Sequence, residues 1–168
     1  AGAIYVGDSA DAYMRNLSFD KNSSKYGGAM FVHSASVELN KATFHQNTAS
    51  VNGGAVELYS SATSTMNDIT ATENSAKLAG AIHVDGATLG LYNSTFRSNT
   101  STSNGGAVAV YDNSTANIYN TLFDKNKASG SGGAVIVYTG GTKAVLHSCT
   151  FTENQGNSGG AIYTSNKS

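Results

Sequence analysis

The side chains best suited to acid–base or metal-binding chemistry in this chain are eleven Asp and Glu residues, four His and the single Cys149. Cleavage at a sugar needs two carboxylates, or a carboxylate and a base, converging on one bond. A resident metal needs three or four such ligands drawn together. The repeat that organises the chain argues against both arrangements. His33, His45, His83 and His147 fall at four different repeat positions and so form no ligand column. Glu38, Glu57, Asp85 and Asp112 each stand in a column that is otherwise mostly neutral. Asp20, Lys21, Glu73, Asp124, Lys125 and Glu153 do recur, at positions expected to face water. No phosphate loop or Gly-Gly-x-Gly-x-Asp calcium repeat occurs. No catalytic residue, metal or cofactor is expected. Cys149, alone, excludes an internal disulfide and reads as a small buried apolar residue.

The elements that must position these side chains are set by that repeat. A Gly-Gly-Ala-apolar motif begins at Gly27, Gly53, Gly105, Gly132 and Gly159, and variants at Ala1 and Ala79 replace only its first glycine. The second glycine falls at 2, 28, 54, 80, 106, 133 and 160, in steps of 26 or 27 residues. A Phe-x-x-Asn motif keeps the same beat at Phe19/Asn22, Phe44/Asn47, Phe96/Asn99, Phe123/Asn126 and Phe151/Asn154, while the third coil pairs Ala71 with Asn74. Between the motifs apolar residues alternate with polar ones, the signature of half-buried strands. Met14, Leu39, Met66, Leu91, Ile118 and Leu146 precede the Phe position by five residues, and Leu17, Ala42, Ile69, Ser94, Thr121 and Cys149 by two. These two columns differ in parity, so a corner is expected between them, at pairs such as Arg15-Asn16 and Asn67-Asp68.

The expectation is an all-β fold, a right-handed parallel β-helix (solenoid) of six coils, each with three short strands, forming a single domain over residues 1–168. Its handedness comes from the family resemblance described next. The chain opens in mid-motif, and is expected to be a segment of a longer solenoid. Asn22, Asn47, Asn74, Asn99, Asn126 and Asn154 are expected to stack as an asparagine ladder at one corner. In the third coil Ile69 offsets the volume lost at Ala71.

Gly-Gly-Ala-[Ile/Val] paired with Phe-x-x-Asn resembles the repeat of the chlamydial polymorphic membrane proteins over the whole chain. That resemblance implies a surface-exposed autotransporter passenger that forms a right-handed β-helix and acts as an adhesin. The chain departs from the family's pattern in its very even coil lengths, and no translocator barrel or cap is recognisable within this segment.

Composition narrows the partners. A net charge of −1 with scattered Lys and Arg offers no basic stripe for nucleic acid and no polybasic patch for anionic lipid. No apolar run approaches the ~20 residues that span a bilayer, so no membrane insertion is expected within this segment. Alternation directs Phe31, Tyr59, Tyr111, Tyr138 and Tyr163, with Ile136, outward from the first strand of successive coils. They make one flat aromatic face, suited either to stabilising neighbouring strands or to contacting sugars or a partner. Sequons at Asn16, Asn93 and Asn113 are candidate glycosylation sites, whereas those at Asn22 and Asn99 fall on the ladder and one more begins at Asn166. A single rank of outward Ser18, Thr43, Thr70, Thr95 and Thr150 lacks the second rank an ice-binding face requires. The first reading is a non-enzymatic extracellular or cell-surface protein, a rigid stalk or adhesin passenger meeting a host-cell or matrix surface or its glycans. The second is a filament subunit that stacks end to end on copies of itself. The third is a polysaccharide-active enzyme.

Overall fold

A computed structural model describes residues 1–165, and the sequon at Asn166 lies outside them. Strands one repeat apart pair in parallel and in register, which places chemically similar residues on top of one another along the axis. Three sheets result, of seven, nine and five strands among the described residues. The first begins directly after each glycine pair and contains Ile4–Gly7, Met30–His33, Val56–Tyr59, Ile82–Asp85, Val108–Tyr111, Val135–Tyr138 and Ile162–Ser165. Its inward columns are fully buried in the central coils, as at Met30, Val56, Ile82 and Val108, and open at the ends, where Ile162 is exposed.

The expected corner between the two apolar columns is a kink inside one sheet. Asp11–Asp20, Ser36–His45 and Thr63–Thr72 run through it as unbroken strands, and later coils divide there, as at Thr88–Tyr92 and Thr95–Arg97. One residue per coil takes the left-handed conformation: Asn16, Lys41, Asp68, Asn93, Asn120 and Ser148, with φ of 50–57°. That residue shifts the parity by one, so that both Leu39 and Ala42 point inward. The third sheet is a face the expected cross-section did not contain. It follows the ladder asparagine and consists of Ser23–Tyr26, Thr48–Asn52, Ser75–Leu78, Thr100–Ser101 and Lys127–Ala128. Its inward residues are small and buried (Ala49, Ala76, Ser101, Ala128).

The two glycines of each pair do different work. The first, at Gly27, Gly53, Gly105, Gly132 and Gly159, has φ of 56–66°, and Ala79 occupies the same conformation at 58°. A Cβ on the second would meet the next coil: at Gly54 it would lie 2.1 Å from the Gly80 carbonyl oxygen and 2.7 Å from the Ser75 backbone. Ala79 shows that the first position's conformation can carry a Cβ in its own coil, whereas at Gly53 one would lie 2.7 Å from the Val56 carbonyl carbon; the second position admits none.

The asparagine ladder is a continuous hydrogen-bonded stack. Each Oδ1 accepts from the main-chain N–H and the Nδ2 of the preceding coil's asparagine, at 2.9–3.0 Å along Asn22, Asn47, Asn74, Asn99, Asn126 and Asn154. From Asn47 onward the second Nδ2 hydrogen goes to the carbonyl at the Phe position one coil earlier, as in Asn74 to Phe44 at 2.9 Å. Beside the ladder the phenylalanines stack inside, Phe19 on Phe44 at 4.8 Å and Phe123 on Phe151 at 5.0 Å. Ala71 interrupts this stack between Phe44 and Phe96, and both it and Ile69 are buried in the same strand.

Candidate functional site

Outward-pointing residues on the first sheet do not form the flat, exposed face that strand alternation predicts. In the column that starts at Tyr5, the residues Glu57, His83, Ala109 and Ile136 are all buried. They are covered from the third sheet, whose chain turns into each glycine pair and lays one residue per coil against this face. In the later coils Leu78, Ala79, Ala109 and Ile136 form a small apolar cluster against which Tyr111, Tyr138 and Tyr163 pack. Asn104 Nδ2 reaches the Tyr111 hydroxyl at 3.4 Å, and burial raises the Tyr111 pKa above the ordinary phenol value. These three tyrosines are thus tied into local packing. Phe31 and Tyr59 belong to a separate group.

That group surrounds a cleft of about 330 Å³ lined by Tyr26, Phe31, Asn52, Glu57, Tyr59 and Asp85. Phe31 lies at its centre, 6.3 Å from the Tyr26 ring and 6.5 Å from the Tyr59 ring, with planes inclined by 42° and 52°. Tyr5 meets the far side of Phe31 edge-on at 5.7 Å, and His33 stacks on Tyr59 at 5.6 Å. Tyr59 is 44% exposed, so the cleft opens to solvent at that ring.

Glu57 and His83 pair across adjacent coils, Oε1 to Nδ1 at 2.9 Å, with side chains only 3% and 2% exposed. Glu57 Oε2 and His83 Nε2 are buried and have no hydrogen-bond partner. Burial raises the Glu57 carboxyl above its ordinary value, against the lowering effect of His83. The Asn52 amide also lowers it, although it makes no hydrogen bond of good geometry to Oε2. Asp85 is raised too, first by burial, with His83 lowering it and the Asp112 carboxylate adding to the rise.

The expectation that the acids do not converge is therefore corrected for two of them. Within single columns they are indeed isolated. Glu57 and Asp85, however, stand in neighbouring outward columns of adjacent coils, and such diagonal pairs lie within reach of each other in a sheet. The legible signal was that Glu57 and His83 are consecutive in one column. Tyr26 and Asn52 were missed because they belong to the third sheet.

The remaining candidates lie apart from the cleft. Asn16 and Asn93 are exposed at the kink of the second sheet, where Asn93 Oδ1 accepts from Asn120 at 3.3 Å. Asn113 is exposed in the turn after a first-sheet strand. His45 contacts Thr72, and His147 contacts Ser148. Tyr92, Tyr119 and His147 stack in a second, shorter aromatic row on the outside of the second sheet, at 5.5 and 5.6 Å. Cys149 is half-buried against the end of the core. Among the described residues no group of three or more His, Cys, Asp or Glu is placed to hold a metal ion, and no helix is long and apolar enough to cross a membrane.

Parallel coils, an internal asparagine ladder and a core strung along one axis define a β-solenoid. Residues 2–168 match the family described as "Right handed beta helix region", and the chain belongs to that family. Neither a curated protein nor a solved structure matches it.

Proposed function

We propose that this chain is the rigid stalk or passenger segment of a non-enzymatic extracellular surface protein, an adhesin that meets glycans of a host-cell or matrix surface through the first-sheet cleft. The observation that carries this reading is the recessed aromatic cleft on an otherwise evenly repeating rod. The buried recurrent columns serve packing or the backbone, and the cleft brings together aromatic and acidic side chains that do not follow the repeat. Ring faces with a few polar groups at the bottom of a depression suit saccharide contact. The Gly-Gly-Ala and Phe-x-x-Asn resemblance to surface-displayed passengers supports the same reading.

The gathering of Glu57, His83 and Asp85 favours one second reading, a polysaccharide-active enzyme, since such chemistry needs acids brought together on an open face. One experiment separates the two. The chain is applied to a glycan array and to matrix-coated surfaces beside a Phe31→Ser/Tyr59→Ser variant, and bound polysaccharides are recovered and sized. The binding reading expects retention that the double variant loses at least tenfold, with chain lengths unchanged. Shortened polysaccharide would establish the enzyme instead, and absence of retention on every surface would reject the adhesin.

A further inference from the structure

We propose that the cleft between Tyr26, Phe31 and Tyr59 binds an organic ammonium group, carried by an amino sugar or a quaternary-amine headgroup, with Glu57 and Asp85 as its counter-charges. The inference rests on the cleft being a binding site, as argued above, and specifies the chemistry of what enters it.

Three observations point to a cation. The rings of Tyr26, Phe31 and Tyr59 are inclined to one another rather than stacked, and all three line the one cleft. Aromatic faces carry negative potential and hold alkylammonium groups, more strongly where water is excluded. Second, the cleft contains two carboxylates, and neither forms an ion pair with a Lys or Arg among the described residues. Glu57 has His83 on Oε1, but its Oε2 is buried without a partner. A buried carboxylate oxygen left unpaired is costly, and a cation bound beside it offsets that cost. Third, the ring cluster already carries one ammonium: Lys25 Nζ lies 5.1 Å from the centroid of Tyr26. Lys25 is exposed and forms no ion pair with Glu57 or Asp85.

The same features disfavour other occupants. A neutral sugar would stack on the rings but leave both carboxylates uncompensated. An anion would be repelled by them. At about 330 Å³ the cleft admits one sugar ring or a small headgroup.

Calorimetric titration of the chain at pH 7.5 with tetramethylammonium, phosphocholine, glucosamine and N-acetylglucosamine tests this directly. Saturable binding of tetramethylammonium is expected, and glucosamine should bind at least tenfold more tightly than its uncharged N-acetyl form if the natural carrier is an amino sugar. Phosphocholine binding more tightly than glucosamine would assign a quaternary headgroup. Tyr59→Ala and Asp85→Asn, both at solvent-accessible positions, should each weaken binding tenfold or more, and so should Glu57→Gln where circular dichroism shows it folded. Tyr119→Ala, in the aromatic row of the second sheet, should leave binding unchanged. Failure of every ammonium probe to saturate, or insensitivity to both Tyr59→Ala and Asp85→Asn, would overturn the inference. N-acetylglucosamine binding as tightly as glucosamine would also overturn it, while leaving the glycan-binding reading intact.

Discussion

At the residue scale the glycine pair shows how one short motif contains two unrelated requirements. Ala79→Gly relieves a left-handed residue of its Cβ at the loss of a little packing, and is expected to change stability by no more than about 1–2 kcal/mol. Gly54→Ala drives a Cβ into the Gly80 carbonyl of the next coil, a contact that only separating two coils relieves. Denaturant midpoints should barely move for the first and collapse for the second; equal losses would contradict the division of roles. The Glu57–His83 pair makes a second prediction, in pH. Burial holds the Glu57 carboxyl above its ordinary value, so folding favours its protonated form. That contribution is fully present below the ordinary carboxylate range and is lost as pH rises through the raised folded value. Asp85 acts with the same sign. His83→Ala strips away Glu57's principal partner and should cost about 3 kcal/mol at neutral pH, most of it regained on acidification. Glu57→Gln should flatten the pH dependence instead. Melting temperatures across pH 4–8 check both, and a His83→Ala deficit that did not shrink in acid would refute the account.

At the element scale, stability lies in contacts between coils. Asn74→Ala removes the donor to the Phe44 carbonyl and the acceptor for the Asn47 main-chain N–H, orphaning buried groups on both sides. At about 1–3 kcal/mol for each such group, the loss should reach about 3 kcal/mol or more. Asn22→Ala, at the first rung, removes a side chain that only donates along the ladder and should cost about 1 kcal/mol. Ala71→Phe should overpack the layer that Ile69 already fills, by about 1–3 kcal/mol; a stabilised variant would refute the volume exchange. The first sheet, the ladder and the Phe column were legible because their residues recur with a distinctive type and a fixed spacing. The third sheet was not. Its strands are two to five residues long, and its inward positions hold Ala or Ser, too short and too small to stand out as a hydrophobic alternation. Missing that sheet also concealed the cover over Glu57 and His83, and with it the cleft. The left-handed column at Lys21, Gln46, Glu73, Ser98, Lys125 and Glu153, with φ of 51–56°, was read only as solvent-facing. The variety of its side chains hides a constraint that lies in the backbone.

At the scale of the whole molecule, each coil touches only its neighbours, so stability is approximately a sum of coil and interface contributions. The chain is a ruler with a regular interior, on which an irregular outer patch occupies a defined height. Ligand contact is the role proposed for the aromatic cleft. The most direct measurement is chemical-shift mapping of the isotopically labelled chain with the glycan or ammonium ligand that it retains. The account predicts perturbations concentrated at Tyr26, Phe31, Asn52, Glu57, Tyr59 and Asp85, with the ladder asparagines and the Tyr92–Tyr119 row unmoved. Perturbations centred on the second sheet, or on the Tyr111–Tyr138 cluster without the cleft, would contradict it.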